Sequence, residues 1–391
     1  MRRSLNLLGG AAFALSLVTA QALTPIEELG KQLFFDQNLS APPGQSCASC
    51  HDPGAGFTGP DSRINAGQAV FPGAVHSRAG SRKPPTAAYA GNSPVLHLDK
   101  NRRLWIGGMF SDGRATGWTL GDPLAEQALQ PFLNDVEQNL VTPARVVHRV
   151  ANSRYAKNFE EVWGAGSLRD KRASVTLNYE RIGHSIAAYE RSQEVNPFTS
   201  KYDYYLKGRV SLTAQEAHGL ALFNFKARCA VCHPSQLGPN GEPPLFTDFS
   251  YANLGIPKNP LNPFYRATRR RNPDGPAFVD PGLAKSLADA GHPEPVWVSE
   301  LGKHKVPTLR NVDKRPAPDF VRAYGHNGFF KSLEEITRFY NTRDVATWPA
   351  PEVPVNMNTT DLGNLGLSAQ EEAAIVAFLK TLTDGYRPPD K

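Results

Sequence analysis

The sequence predicts an all-α, loop-rich protein made of two related helical halves. Three observations predict it. Each half opens on a capping box at the head of a helix. Each of those helices leads into a Cys-x-x-Cys-His motif. The 33 Gly and 33 Pro among 391 residues break much of the remainder into loops. The boundaries that follow are 1–22 for an export signal, 23–200 for an N-terminal half and 201–391 for a C-terminal half.

The chain opens on Arg2 and Arg3, an apolar stretch from Leu5 to Val18 and the small-residue site Ala20-Gln21-Ala22, the pattern of a cleaved secretory signal. The stretch is short for a membrane anchor and no second one follows. A soluble, exported protein, periplasmic in a bacterium, is expected. The formal charge is +6; loss of Arg2 and Arg3 takes 43 basic residues to 41 against 37 acidic ones. That balance is weak grounds for a nucleic-acid partner, and Arg269-Arg270-Arg271 reads as a solvated loop.

Thr24-Pro25-Ile26-Glu27 places a capping box and an N1 proline before a helix carrying Gly30, Leu33 and Phe34. Thr213 and Glu216 repeat the box, and Gly219, Leu222 and Phe223 repeat the spacing. Residues 52–104 and 235–300 are rich in turn-formers and read as long loops. Helical patterns recur around Leu124–Leu129, Pro143–Val150 and Ala173–Arg191. Ser368 and Glu371 cap a last helix with Ile375, Val376, Phe378 and Leu379 on its inner face. No substantial sheet is expected.

All four cysteines fall in the two motifs, as Cys47, Cys50, His51 and Cys229, Cys232, His233. Two disulfides would suit an exported chain. Two thiols a helical turn apart with a histidine next in line instead suit c-type haem: each thiol adds to one vinyl group and the imidazole binds iron. Two covalently attached haems are expected, one per half. Their propionates would bring the net charge near neutral.

Other segments carry a resemblance. Phe110-Ser111-Asp112-Gly113-Arg114-Ala115, Glu126-Gln127-Ala128-Leu129-Gln130-Pro131 with Asn134 and Glu137, Val306-Pro307-Thr308-Leu309-Arg310-Asn311 and Tyr324-Gly325-His326-Asn327-Gly328 resemble segments of the bacterial dihaem cytochrome c peroxidase family, which includes MauG-type protein oxidases. The resemblance spans nearly all of the mature chain. It implies that the first haem meets hydrogen peroxide and the second transfers electrons. It also implies that Glu137 is the acid–base group and that Gln127 accompanies it. Cleaving an O–O bond requires a proton to move between the oxygens, which a carboxylate can carry. Without the resemblance, Glu137 reads as an exposed helix-end carboxylate.

The resemblance bears on the axial ligands too. The family's peroxidases place a methionine fourteen residues after the histidine of Tyr-x-His-x-Gly; counting from His326 reaches Tyr340, as in MauG. A phenolate favours ferric iron and lowers the potential. Tyr340 read by itself is a core aromatic, and Met357, in a Pro- and Asn-rich loop, is the rival ligand. His76 stands near the place of the loop histidine that closes the first haem in many family peroxidases; by itself it is a surface-loop histidine.

Two positions depart from the family. Ser111 replaces the tryptophan between the haems, with Trp105 and Trp118 as substitute relays. Lys83 replaces an asparagine of the family's inter-domain Ca2+ site. The implied activity is a dihaem peroxidase taking electrons from a small cytochrome c or cupredoxin. A MauG-like enzyme oxidising Tyr or Trp side chains of a protein substrate is the alternative, and a non-enzymic electron carrier the third reading.

Overall fold

A computed structural model of the chain describes residues 22–169 and 175–389. The expected signal, apart from Ala22, lies outside the described residues. The first half contains α1 (Pro25–Phe35), α2 (Ser62–Ala66), α3 (Pro123–Leu133), α4 (Pro143–Ala151), α5 (Ala156–Trp163) and α6 (Val175–Arg191). The second contains α7 (Lys201–Leu206), α8 (Ala214–Asn224), α9 (Leu283–Asp289), α10 (Glu294–Val298), α11 (Leu333–Thr342) and α12 (Ala369–Lys380). Sheet among the described residues is limited to two antiparallel ribbons, His97–Asp99 with Leu104–Ile106 and Tyr251–Ala252 with His304–Lys305. The helical expectation therefore holds in kind, but helical content is modest and loops carry much of the chain.

The same joint is built twice. Thr24 N donates to the Glu27 carboxylate at 2.7 Å, and Thr213 N donates to that of Glu216 at 2.7 Å. Each boxed helix then crosses a later one at a glycine. A Cβ on Gly30 would lie 1.9 Å from Ser185 O of α6, and one on Gly219 would lie 1.9 Å from Ala374 O of α12. Only a residue without a side chain lets these backbones approach so closely. Leu33 and Phe34 on α1, and Leu222 and Phe223 on α8, are buried beside the crossings.

Two apolar cores follow, one drawn from residues between Leu29 and Val195, the other from residues between Tyr202 and Leu382. Arg310 ties them. Its guanidinium is fully buried, donates to Asp203 at 3.0 and 2.9 Å and to Pro244 O at 2.6 Å, and lies over the rings of Tyr89 and Phe198. Asp384 accepts from Tyr89 Oη at 2.6 Å and Asn311 Nδ2 at 2.9 Å, closing the same seam.

Candidate dihaem site

Each Cys-x-x-Cys-His motif forms one turn of 3-10 helix, Cys47–Ser49 and Cys229–Val231. The histidine N–H that follows donates back to the first cysteine's carbonyl, at 2.9 Å in both motifs. His51 Nδ1 lies 3.2 Å from Phe57 O, and His233 Nδ1 lies 2.6 Å from Phe246 O. A carbonyl only accepts, so Nδ1 carries the proton and Nε2 keeps its lone pair, as an iron ligand requires. Burial lowers the pKa of both imidazoles, keeping them neutral. Both Phe residues hold positive φ, 58° and 54°; left-handed backbone costs a side-chain-bearing residue roughly 1–2 kcal/mol. None of the four cysteines is paired in a disulfide. Paired thiols, a neutral imidazole with a free nitrogen and apolar walls fit a c-type haem in each half. A cavity of about 330 Å³ runs from Cys229, Cys232 and His233 to the junction between the halves.

Glu137 follows α3. Burial raises its pKa, while Arg114 and the hydrogen bond from Asn134 oppose the rise. Burial, and next the Glu137 carboxylate, push the Cys50 thiol up to about 12. Glu137 is thus a half-buried acid whose charge is felt at the first motif, not an exposed helix end. Its carboxylate accepts from Asn134 Nδ2 at 2.6 Å. Gln127 is half-buried on α3, and among the described residues no hydrogen bond joins it to Glu137. Its neighbour Glu126 instead accepts from the backbone N–H groups of Gly117, Thr119 and Leu120 at 2.7–2.9 Å, fixing the loop that carries Trp118.

His76 is exposed on a turn closed by a 2.8 Å bond from Arg78 N to Val75 O. The base of that turn is pinned by Ala74 N donating to Glu137 O at 2.7 Å. The loop is beside the first site while the imidazole faces outward.

Tyr340, on α11, lines that cavity with Cys229 and His233. Burial, then the Cys229 and Cys232 thiols, raise its phenol pKa. Met357 is absent from the cavity wall and its Sδ packs at Gly255. Ser111 does line the cavity, and its carbonyl accepts from Lys305 N at 2.8 Å. Trp105 and Trp118 both lie against the ring of His292 and neither lines the cavity, so neither stands where Ser111 does.

The cavity wall also holds a pair that sequence reasoning passed over. The rings of His304 and His326 stack at 3.7 Å and 10°. His326 Nε2 lies 3.1 Å from Glu352, and Asp280 is paired with Arg82 at 2.6 Å. His326 stood in a recognised motif; His304 offered no signal beyond preceding Val306-Pro307 by two residues.

Lys83 does not fit the expected calcium site. Its side chain is half-buried, its Nζ donates to Pro84 O at 3.0 Å, and it feels the charge of Arg322. Two cations at that spot oppose a third.

The family description "Di-haem cytochrome c peroxidase" matches residues 24–211. Methylamine utilization protein MauG of Paracoccus denitrificans is 35% identical over 389 residues, covering 95% of this chain and 92% of the relative. The chain belongs to the dihaem cytochrome c peroxidase family. Cytochrome-c peroxidase IdrP2 of Pseudomonas sp. is a further family relative, 28% identical over 366 residues, covering 91% and 80%. Among solved structures, the diheme peroxidase BthA from Burkholderia thailandensis superposes with a TM-score of 0.75 at 31% identity, covering 93% of this chain and 87% of that one. A MauG-like protein associated with microbial copper homeostasis gives 0.62 at 25%, covering 95% and 96%. As a member of this dihaem family the chain is an oxidoreductase of peroxidase type with two haem cofactors. No helix among the described residues is long and apolar enough to cross a membrane.

Proposed function

We propose that this is a periplasmic enzyme that reduces hydrogen peroxide at the first haem and draws the electrons, through the second, from oxidisable side chains of a partner protein. The observation that carries the reading is the pairing of a half-buried acid whose charge is felt at the first motif, Glu137, held by Asn134, with a phenol lining the cavity at the second motif, Tyr340. Haem, bound through Cys47 and Cys50 and through Cys229 and Cys232 with His51 and His233 as proximal ligands, supplies the redox chemistry. The chain's own part is the proton. Glu137, held by Asn134, takes it from one peroxide oxygen and returns it to the other as the O–O bond breaks. Gln127 orients water or peroxide nearby. Tyr340 would hold the second iron as a phenolate once the metal displaced its proton, and a phenolate would favour the oxidised states, which suits an enzyme that stores oxidising equivalents. The outward-facing His76 supports a first haem that needs no prior reduction.

Supply of electrons by a small cytochrome c or cupredoxin is the second reading. The exposed Phe225 and Val231, flanking and within the second motif, favour it, since transient redox contacts use small apolar surfaces.

The test is rapid mixing of the fully oxidised, haem-loaded protein with one equivalent of hydrogen peroxide, followed by absorbance. A prompt spectral change without reductant is expected. Silence until the second haem has been reduced would overturn the open first site and leave the gated peroxidase.

A further inference from the structure

Three cations face the cavity between the halves, Arg322 buried and Lys83 and Lys305 half-buried, and their hydrogen bonds run to neutral backbone carbonyls. Lys83 Nζ donates to Pro84 O at 3.0 Å, and Lys305 Nζ to Gly107 O at 2.9 Å and Phe249 O at 3.2 Å. Arg322 donates to Ala55 O at 2.8 Å and to Lys314 O. Arg322 is only 7% exposed, and its Nε is buried with no partner. Burial, and for Lys83 also the neighbouring Arg322, push Lys83 and Lys305 down to about 7. Asp248 offsets part of the charge of Lys305 and Asp313 part of that of Arg322, but among the described residues no acidic group acts on Lys83, whose charged neighbour is Arg322. A desolvated charge without a partner costs several kcal/mol, so Lys83 beside Arg322 calls for an anion inside the cavity.

We propose that Lys83 from the first half and Arg322 from the second clamp one haem propionate between them. This rests on the dihaem reading, which the family supports independently. Both residues line the cavity that reaches the second motif, and the charge of Lys83 is also felt at His51 of the first. A carboxylate fits the donor set. It accepts from Arg322 Nε and from the free N–H groups of Lys83 together. The junction is then closed by a haem carboxylate between two protein cations, with no divalent ion. A small inorganic anion such as chloride shares the same chemistry and is the competing occupant.

The experiment is low-frequency resonance Raman spectroscopy and spectroelectrochemical titration of the haem-loaded protein, its Lys83→Met and Arg322→Met variants, and Lys83→Arg. In both neutral variants one haem's propionate bending band should shift and the same haem's midpoint potential should fall, because a nearby positive charge favours the ferrous form. Lys83→Arg should restore both. Unchanged bands and potentials in neutral variants that load two haems would overturn the clamp. So would a wild-type band that moves when chloride is exchanged for gluconate. Should the neutral variants fail to load haem, the wild-type band in deuterium oxide decides: a shift from deuterated N–H donors supports the clamp, and no shift overturns it.

Discussion

Asn134 Nδ2 donates to the Glu137 carboxylate at 2.6 Å, so the half-buried acid beside the first motif is held by a side chain three residues earlier, at the end of α3. The bond stabilises the charged carboxylate, opposing the burial that raises its pKa. The balance sets the pH at which Glu137 becomes a base.

Glu137→Gln should keep both haems and lose peroxide turnover by about 10²–10⁴-fold, the range for a positioned acid–base group. Steady-state peroxide consumption per haem measures it. A loss under threefold would remove Glu137 from the chemistry.

Turnover in the parent enzyme should rise with pH as Glu137 deprotonates, along a limb lying above the ordinary carboxyl range because burial raises this pKa. Asn134→Ala removes an interaction that lowers it, so the limb should move to higher pH. A limb moving to lower pH, read from pH–rate profiles of both proteins, would contradict the assignment.

Tyr340→Met should raise the second haem's midpoint potential, since a thioether favours the ferrous state and a phenolate the ferric. Spectroelectrochemistry reads it directly. An unmoved potential would take Tyr340 away from the iron.

His76→Gly should leave the peroxide reaction of the fully oxidised protein unchanged within a factor of two, because the imidazole is exposed on its turn. Marked acceleration in the stopped-flow record would mean that His76 closes the first haem.

Gly219→Ala should destabilise the second half by about 1–3 kcal/mol or more, the usual cost of overpacking, because the added methyl meets Ala374 O. Gly30→Ala should do likewise against Ser185 O. Urea unfolding followed by the signal of each haem checks both, and unchanged midpoints would contradict the crossings.

Much of this was legible in the sequence because it rested on local rules. Thr24 with Glu27, Thr213 with Glu216 and Ser368 with Glu371 all mark helix starts in the structure. The inner face of α12 is the buried one. The short helices α9 and α10 were hidden inside a Pro- and Gly-rich stretch, where tertiary packing rather than periodicity decides. Site features that depend on approach across the chain were equally hidden. The His304–His326 stack joins a residue on a ribbon strand to one on a distant turn, and no spacing rule reports a stack. Lys83 was visible as a departure from the family, but its meeting with Arg322 needed the folded junction. Trp105 and Trp118 looked available as relays because sequence distance says nothing about where a ring packs; both lie against His292.

The twin crossings at Gly30 and Gly219 bear on how such a molecule becomes asymmetric. Two halves sharing one joint, one thiol–imidazole turn and one Phe carbonyl behind the histidine provide nearly interchangeable iron seats. Their division of labour must come from what hangs off the shared frame: the Glu137 segment on one side, the α11 phenol on the other. Specialisation then requires few substitutions and no new architecture. A chimera in which the second half's frame receives the Asn134–Glu137 segment is accordingly a compact way to ask how little separates a peroxide-handling seat from an electron-handling one.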